Sequence, residues 1–196
     1  LAQYQRIYAN EIKKIESEER EGVLRFHQAY DDALLKREEE LVDIAFRELP
    51  KIPKLKILAD NIKDRLGVVS FYIDGIHYNL IVKILNDRFG IQVRGGCACA
   101  GTYGHYLLDV SHEKSKEITE RITMGDLSEK PGWIRLSMHP TMTDKDLYFV
   151  IDAIRQIAEN INEWEKDYIY DKHDNEFRHI HEPEDQTVKV VDWFKL

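Results

Sequence analysis

The chain has 196 residues, 43% of them hydrophobic and 33% charged, with a formal net charge of −8. This is the composition of one globular unit with a good core, too short for two large domains. The acid excess argues against nucleic acid as a general partner, because no broad basic face is available to neutralise phosphates. No apolar run has the length needed to cross a bilayer, and no signal-peptide pattern opens the chain. Two cysteines without a disulfide framework suit a reducing, cytoplasmic setting.

In chain order, Tyr4, Ile7, Tyr8, Ile12 and Ile15 recur at helical spacing among charged residues. Gly22 is expected to interrupt this helix, and the period resumes from Val23 through Phe26, Tyr30, Leu34, Leu41 and Ile44 until Pro50 and Pro53 stop it. The charge run from Lys36 to Glu40 reads as a solvated face with pairs four residues apart. Leu55 to Leu58 and Val68 to Ile73 read as strands. Tyr78, Ile81, Val82, Leu85 and Phe89 put one stripe on a helix ending at Gly90, and Ile91 to Val93 reads as a third strand.

Further on, Ser111 to Arg121 is polar and reads as a surface helix, and Trp133 to Met138 alternates as a strand after the turn Lys130-Pro131-Gly132. Thr143 with Asp146 three residues later makes a variant capping box. The stripe from Leu147 to Trp164 is the most regular in the sequence and predicts a helix from Asp144 to about Lys166. Tyr168 to Tyr170 and Phe177 to Ile180 flank Asp174-Asn175 as a hairpin, and Val188 to Phe194 is a last strand-like run. Strands alternating with helices predict an α+β fold, a small mainly antiparallel or mixed sheet covered on one face by helices, with an N-terminal helical extension.

The chemistry concentrates at Arg94-Gly95-Gly96-Cys97-Ala98-Cys99, directly after the third strand. Gly95 and Gly96 can turn the backbone sharply and leave amides outward, and Arg94 adds a fixed positive charge; both favour thiolate over thiol. Cys99 can thus be a nucleophile, or both cysteines can be small buried hydrophobes. A zinc centre is not expected, since Cys97-x-Cys99 has no matching second pair of ligands.

This stretch resembles the active-site cysteine loop of the class V aminotransferase family of pyridoxal-phosphate (PLP) enzymes, which includes cysteine desulfurases, selenocysteine lyases and molybdenum-cofactor sulfurases. Desulfurase loops carry Arg-x-Gly-His-His-Cys-Ala or Ser-Ser-Gly-Ser-Ala-Cys, and the sulfurase loop Arg-Thr-Gly-Cys-Phe-Cys has both cysteines. Arg65 to Phe71 resembles the strand before the family's small-domain helix, and Gly75-Ile76-His77 its Gly-x-His. Trp133-Ile134-Arg135-Leu136-Ser137 resembles its Arg-x-Ser strand.

The resemblance implies that Cys99 is the catalytic thiol and that Arg135 holds the substrate carboxylate. It implies Arg94 as a second substrate-binding residue, with Cys97, Gly95, Gly96 and His105 lining the site. Without it, Arg135 reads as a surface arginine on an edge strand. In a desulfurase the thiolate takes the sulfur of a substrate cysteine as a persulfide, leaving alanine.

The sequence departs from the family in three places. The two histidines of one desulfurase loop are Cys97 and Ala98 here, the interval from Cys99 to Arg135 is long enough to hold an insertion that could act as a lid, and the PLP-anchoring Ser/Thr-x-His-Lys is absent. The resemblance therefore implies the C-terminal small domain of a longer, homodimeric PLP enzyme. Residues 1–50 would be a helical link to an upstream PLP domain, 51–166 the small domain, and 167–196 a tail. The opening at Leu1, inside a helical pattern, gives the same expectation of a fragment. The other readings are aminotransfer or lyase chemistry that needs Arg135 and not Cys99, and a non-catalytic interaction or thiol-sensing module.

Overall fold

The computed structural model describes residues 2–97 and 101–181. A long helix, α1 (Ala2–Glu48), leads into a four-stranded sheet of β1 (Leu55–Ile57), β2 (Val68–Ile73), β3 (Arg94–Gly96) and β4 (Trp133–Ser137). Helix α2 (Tyr78–Phe89) joins β2 to β3, while α3 (Gly101–Leu107) and α4 (His112–Thr123) lie between β3 and β4. Helix α5 (Asp144–Trp164) follows the sheet, and a hairpin of β5 (Tyr168–Asp171) and β6 (Glu176–His179) follows that. The sheet order is β1-β2-β4-β3 with every pairing antiparallel, so the α+β architecture expected from the sequence is the one observed.

One face of the sheet makes the core. Val69, Phe71 and Ile73 of β2 and Ile134 and Leu136 of β4 are each at most 4% exposed, and they pack with Ile81, Ile84 and Leu85 of α2 and Leu147, Ile151 and Ile154 of α5. The last turns of α1 join them through Leu41, Val42, Ile44 and Ala45. Burying each such side chain contributes about 1.5–3 kcal/mol.

The helix ends follow their local chemistry. Thr143 accepts from the Asp146 amide while the Asp146 carboxylate accepts from the Thr143 amide, completing the capping box that opens α5. His77 caps α2 through Nδ1, which accepts from the Asn79 amide at 3.1 Å, and Gly90 closes it in the left-handed conformation, φ 67°.

Two local expectations are corrected. Gly22 does not interrupt α1, which runs through it without a break. A glycine inside an exposed helix costs only about 1 kcal/mol relative to alanine, too little to end a long helix. The third strand is not Ile91–Val93 but Arg94–Gly96, so Gly95 lies within a strand instead of a sharp turn. Gly95 is tolerated there because the space its side chain would fill is already occupied: a Cβ would stand 2.7 Å from Asn79 Oδ1 and 3.0 Å from Val82 Cγ2. Gly96 alone has the positive φ, 110°.

Beyond α5, the hairpin expected around Asp174-Asn175 is present, with Tyr168 opposite His179 and Tyr170 opposite Phe177. Asn175 takes the left-handed conformation at the turn, φ 58°. The strand-like run from Val188 to Phe194 lies outside the described residues.

Candidate active site

Strand alternation separates the core from the chemistry. With Ile134 and Leu136 pointing into the core, Trp133, Arg135 and Ser137 point to the opposite face of β4. The register sets Arg135 directly across from Arg94 on β3 and from Ser70 on β2, and Gly96 across from Trp133. Directly opposed residues share a face, so the sheet brings Arg94 and Arg135 side by side. Strand β4 is an interior strand, not the edge that a plain surface arginine would suggest.

This pair is electrostatically unusual. Arg94 is exposed and Arg135 partly buried. Among the described residues no carboxylate pairs with either guanidinium, and the buried Nε of Arg135 has no hydrogen-bond partner. Like charges directly opposed across a sheet destabilise it, and an unsatisfied buried donor adds its desolvation cost. Several other arginines are engaged by acids: Arg37 bonds Asp144 at 2.7 Å and Glu40 at 3.0 Å, and Arg121 bonds Glu117 and Glu129. A planar anion between Arg94 and Arg135 would relieve the like-charge cost, and a carboxylate matches the guanidinium fork.

Cys97 follows β3 directly and is partly buried. Helix α3 packs on it through Gly104, where a Cβ would stand 3.8 Å from Cys97 Cβ and 3.1 Å from Trp133 Cζ3. Trp133, 5% exposed, is thus covered by α3, and the sheet face opens beyond it at Arg135 and Ser137. His105, also on α3, does not point to a free acid or base role in the described contacts: its Nδ1 shares a 2.6 Å hydrogen bond with Ser115 Oγ, tying α3 to α4. Cys99 lies outside the described residues.

The segment between β3 and β4 is anchored at several points. Lys114 and Arg121 of α4 both bind Glu129, at 2.6 and 3.0 Å, and the Leu127 amide donates to the Lys172 carbonyl of the hairpin turn. His173 Nδ1 lies 2.9 Å from the Gly125 carbonyl. An open cleft of about 370 Å³ lies between this segment and the β2–α2 turn, lined by Tyr72, Asp74, His77, Lys130 and Gly132, and neither site arginine reaches it.

A family model for class V aminotransferases matches residues 21–150. The chain belongs to that family. Membership implies PLP chemistry for the complete enzymes of class V. The chain is also 37% identical over 68 residues to a probable cysteine desulfurase of Halobacterium salinarum, covering 35% of this chain and 16% of that protein. Its similarity to the crystal structure of the cysteine desulfurase CsdA from Escherichia coli is 18% in sequence, with a TM-score of 0.41, over 66% of this chain and 26% of the other. This class V chain therefore spans roughly a sixth to a quarter of the length of these relatives. No group of three or more metal-binding side chains occurs among the described residues, and no helix there is long and apolar enough to cross a membrane.

Residues that the sequence reading did not single out complete the site's support. Tyr78, Asn79 and Gly132 contact or border the strands that carry the arginines. Gly132 was visible only as a turn residue, and nothing in the spacing of Tyr78 distinguishes it from the other members of its helical stripe.

Proposed function

We propose that this chain forms the substrate-binding side of a PLP-dependent class V enzyme with cysteine desulfurase or selenocysteine lyase chemistry. The observation that supports it is the cross-strand pair of Arg94 and Arg135, unpaired with any described acid and opposed on one sheet face. The two guanidinium groups hold the α-carboxylate of an amino acid, and Arg135, with its Nε buried, fixes the orientation. Cys97 and Cys99 follow Arg94 within five residues, so the thiol-bearing loop springs from the strand that carries half of the carboxylate cradle.

The residues here fit the substrate better than they fit the coenzyme. The sheet face offers cations for a carboxylate, and the sequence contains no Ser/Thr-x-His-Lys to supply an anchoring amine. The coenzyme lysine belongs, in this proposal, to an upstream domain of a longer, homodimeric, cytoplasmic protein, with residues 1–50 as the helical link, 51–166 as the small domain and 167–196 as the tail. PLP, when bound there, supplies the electron withdrawal that weakens the substrate's carbon–sulfur bond.

This chain's part is the thiol. The Cys99 thiolate bonds to the substrate sulfur as the carbon–sulfur bond breaks, the electron pair of that bond stays with carbon, and carbon takes up a proton to become alanine. In this proposal Cys97, against which α3 packs, shuttles or resolves sulfur, or serves only as a packing residue.

The test uses the full-length protein with PLP. Cys99→Ser is expected to abolish sulfide release from cysteine while the coenzyme absorbance is unchanged, and Arg135→Ala to raise KM at least tenfold. Unchanged sulfide release from Cys99→Ser would overturn the desulfurase reading. Retained aminotransfer that still needs Arg135 would favour chemistry without the thiol.

A further inference from the structure

The C-terminal hairpin reaches the strands of the site through one buried ring. Tyr78 opens α2 and is 6% exposed. Its ring fills the space left by two glycines: a Cβ on Gly95 would stand 3.1 Å from Tyr78 Cδ2, and one on Gly132 only 2.4 Å from Cε1. Gly95 is the middle residue of β3, next to Arg94, and Gly132 directly precedes β4, three residues before Arg135. The ring therefore lies against the backbone of both segments that carry the arginines.

The ring is held from the other side by the hairpin. Asn175, 9% exposed at the turn between β5 and β6, donates from Nδ2 to Tyr78 Oη at 2.8 Å. Tyr170 Oη donates to Asn175 Oδ1 at 2.9 Å, and Asn79 Nδ2 donates to the Asn175 carbonyl at 2.5 Å. Apart from the tyrosines, Asn175 is the only buried residue of polar or charged type among the described residues. A polar group is retained in such a position only when its partners are fixed, and here those partners tie the hairpin to the start of α2, which is distant in sequence.

We propose that Asn175 is a positioning residue that acts through Tyr78: it fixes the ring between Gly95 and Gly132 and so sets the spacing of the strands bearing Arg94 and Arg135. The inference rests on the carboxylate-holding role proposed for those arginines. Displacement of a binding group by 1 Å can cost about 100-fold, and loss of one hydrogen bond to a ring that still packs should cost less.

The experiment is performed on the full-length protein. Its probe is 3-mercaptopropanoate, which has a carboxylate and a thiol but no amino group, with Kd read by calorimetry. Asn175→Gly removes the amide and keeps the left-handed backbone at φ 58° accessible, while Tyr78→Phe keeps the ring and removes the acceptor. Both variants are expected to raise Kd about tenfold, and to raise KM for the amino-acid substrate similarly with kcat within about twofold.

Three outcomes separate the possibilities. Raised Kd in both variants and in Arg135→Ala supports the positioning role. Raised Kd in Arg135→Ala with wild-type Kd in Asn175→Gly and Tyr78→Phe overturns it, and a lowered Tm in those two variants would then mark a structural role only. Wild-type Kd in Arg135→Ala overturns the carboxylate reading and this inference with it.

Discussion

The two faces of the sheet are built from the same strands and obey opposite rules. On the core face of β2 and β4, Val69, Phe71, Ile73, Ile134 and Leu136 are closed over by α2, α5 and the end of α1. On the other face the same two strands present Ser70, Tyr72, Arg135 and Ser137, with Arg94 alongside from β3. One face gains from every contact it makes. The other carries two opposed cations and an unsatisfied buried donor, features that a fold gains nothing from by itself. Substitutions should therefore separate stability from binding according to face.

The largest expected difference is between Phe71→Ala and Arg135→Ala. Phe71 is fully buried, and its truncation leaves a cavity that should cost about 3–5 kcal/mol in chemical unfolding. Arg135→Ala removes a like-charge neighbour of Arg94 and should leave the unfolding midpoint unchanged or slightly higher, while impairing carboxylate binding. A fall in stability on Arg135→Ala comparable to that of Phe71→Ala would break the contrast and point to an interaction of Arg135 that holds the fold.

The capping box at the start of α5 gives a smaller effect on the core side. Thr143→Ala removes a side-chain acceptor for the Asp146 amide and should cost about 1 kcal/mol, read as a lowered unfolding midpoint with no change in substrate KM. Arg37 crosses from α1 to Asp144 in the same turn and accepts no such replacement role, because it bonds the carboxylate and the Met142 carbonyl and not the helix amides.

Periodicity made the core face legible in the sequence. The stripe of Leu147, Val150, Ile151, Ile154 and Ile157 and the alternation of Trp133 to Met138 predicted α5 and β4, and the Thr143 box predicted where α5 begins. Resemblance to the family's cysteine loop made Arg94, Cys97 and Cys99 candidates, and resemblance to its Arg-x-Ser strand made Arg135 one. Pairing register was not legible, because it depends on residues 37 to 41 positions apart, so the opposition of Arg94 and Arg135 emerged only from the sheet. The shift of β3 from Ile91–Val93 to Arg94–Gly96 has the same origin: pairing with β4 outweighs the β-propensity of an isoleucine and a valine. In the sequence Tyr78 is indistinguishable from the other apolar residues of its helical stripe, since its partners Gly95, Gly132 and Asn175 come from three separate parts of the chain.

The smallest effect concerns His77, which sits where the hairpin covers the start of α2. Its ring stacks on Tyr78 with centroids 4.5 Å apart and is flanked by Tyr170 and Phe177, its Nδ1 caps the helix, and its buried Nε2 has no partner. Burial lowers its pKa from the ordinary 6.5, so the folded state resists a proton that the unfolded state accepts. Stability should therefore fall as pH drops through 6.5 and level off once pH is below the depressed folded value. His77→Asn keeps a capping oxygen without a titrating ring, so the difference between it and the wild type should shrink as pH falls from 7 to 5. A difference that is constant over that range would mean that the ring takes up its proton in the folded state as easily as in water, and that the hairpin does not close over it.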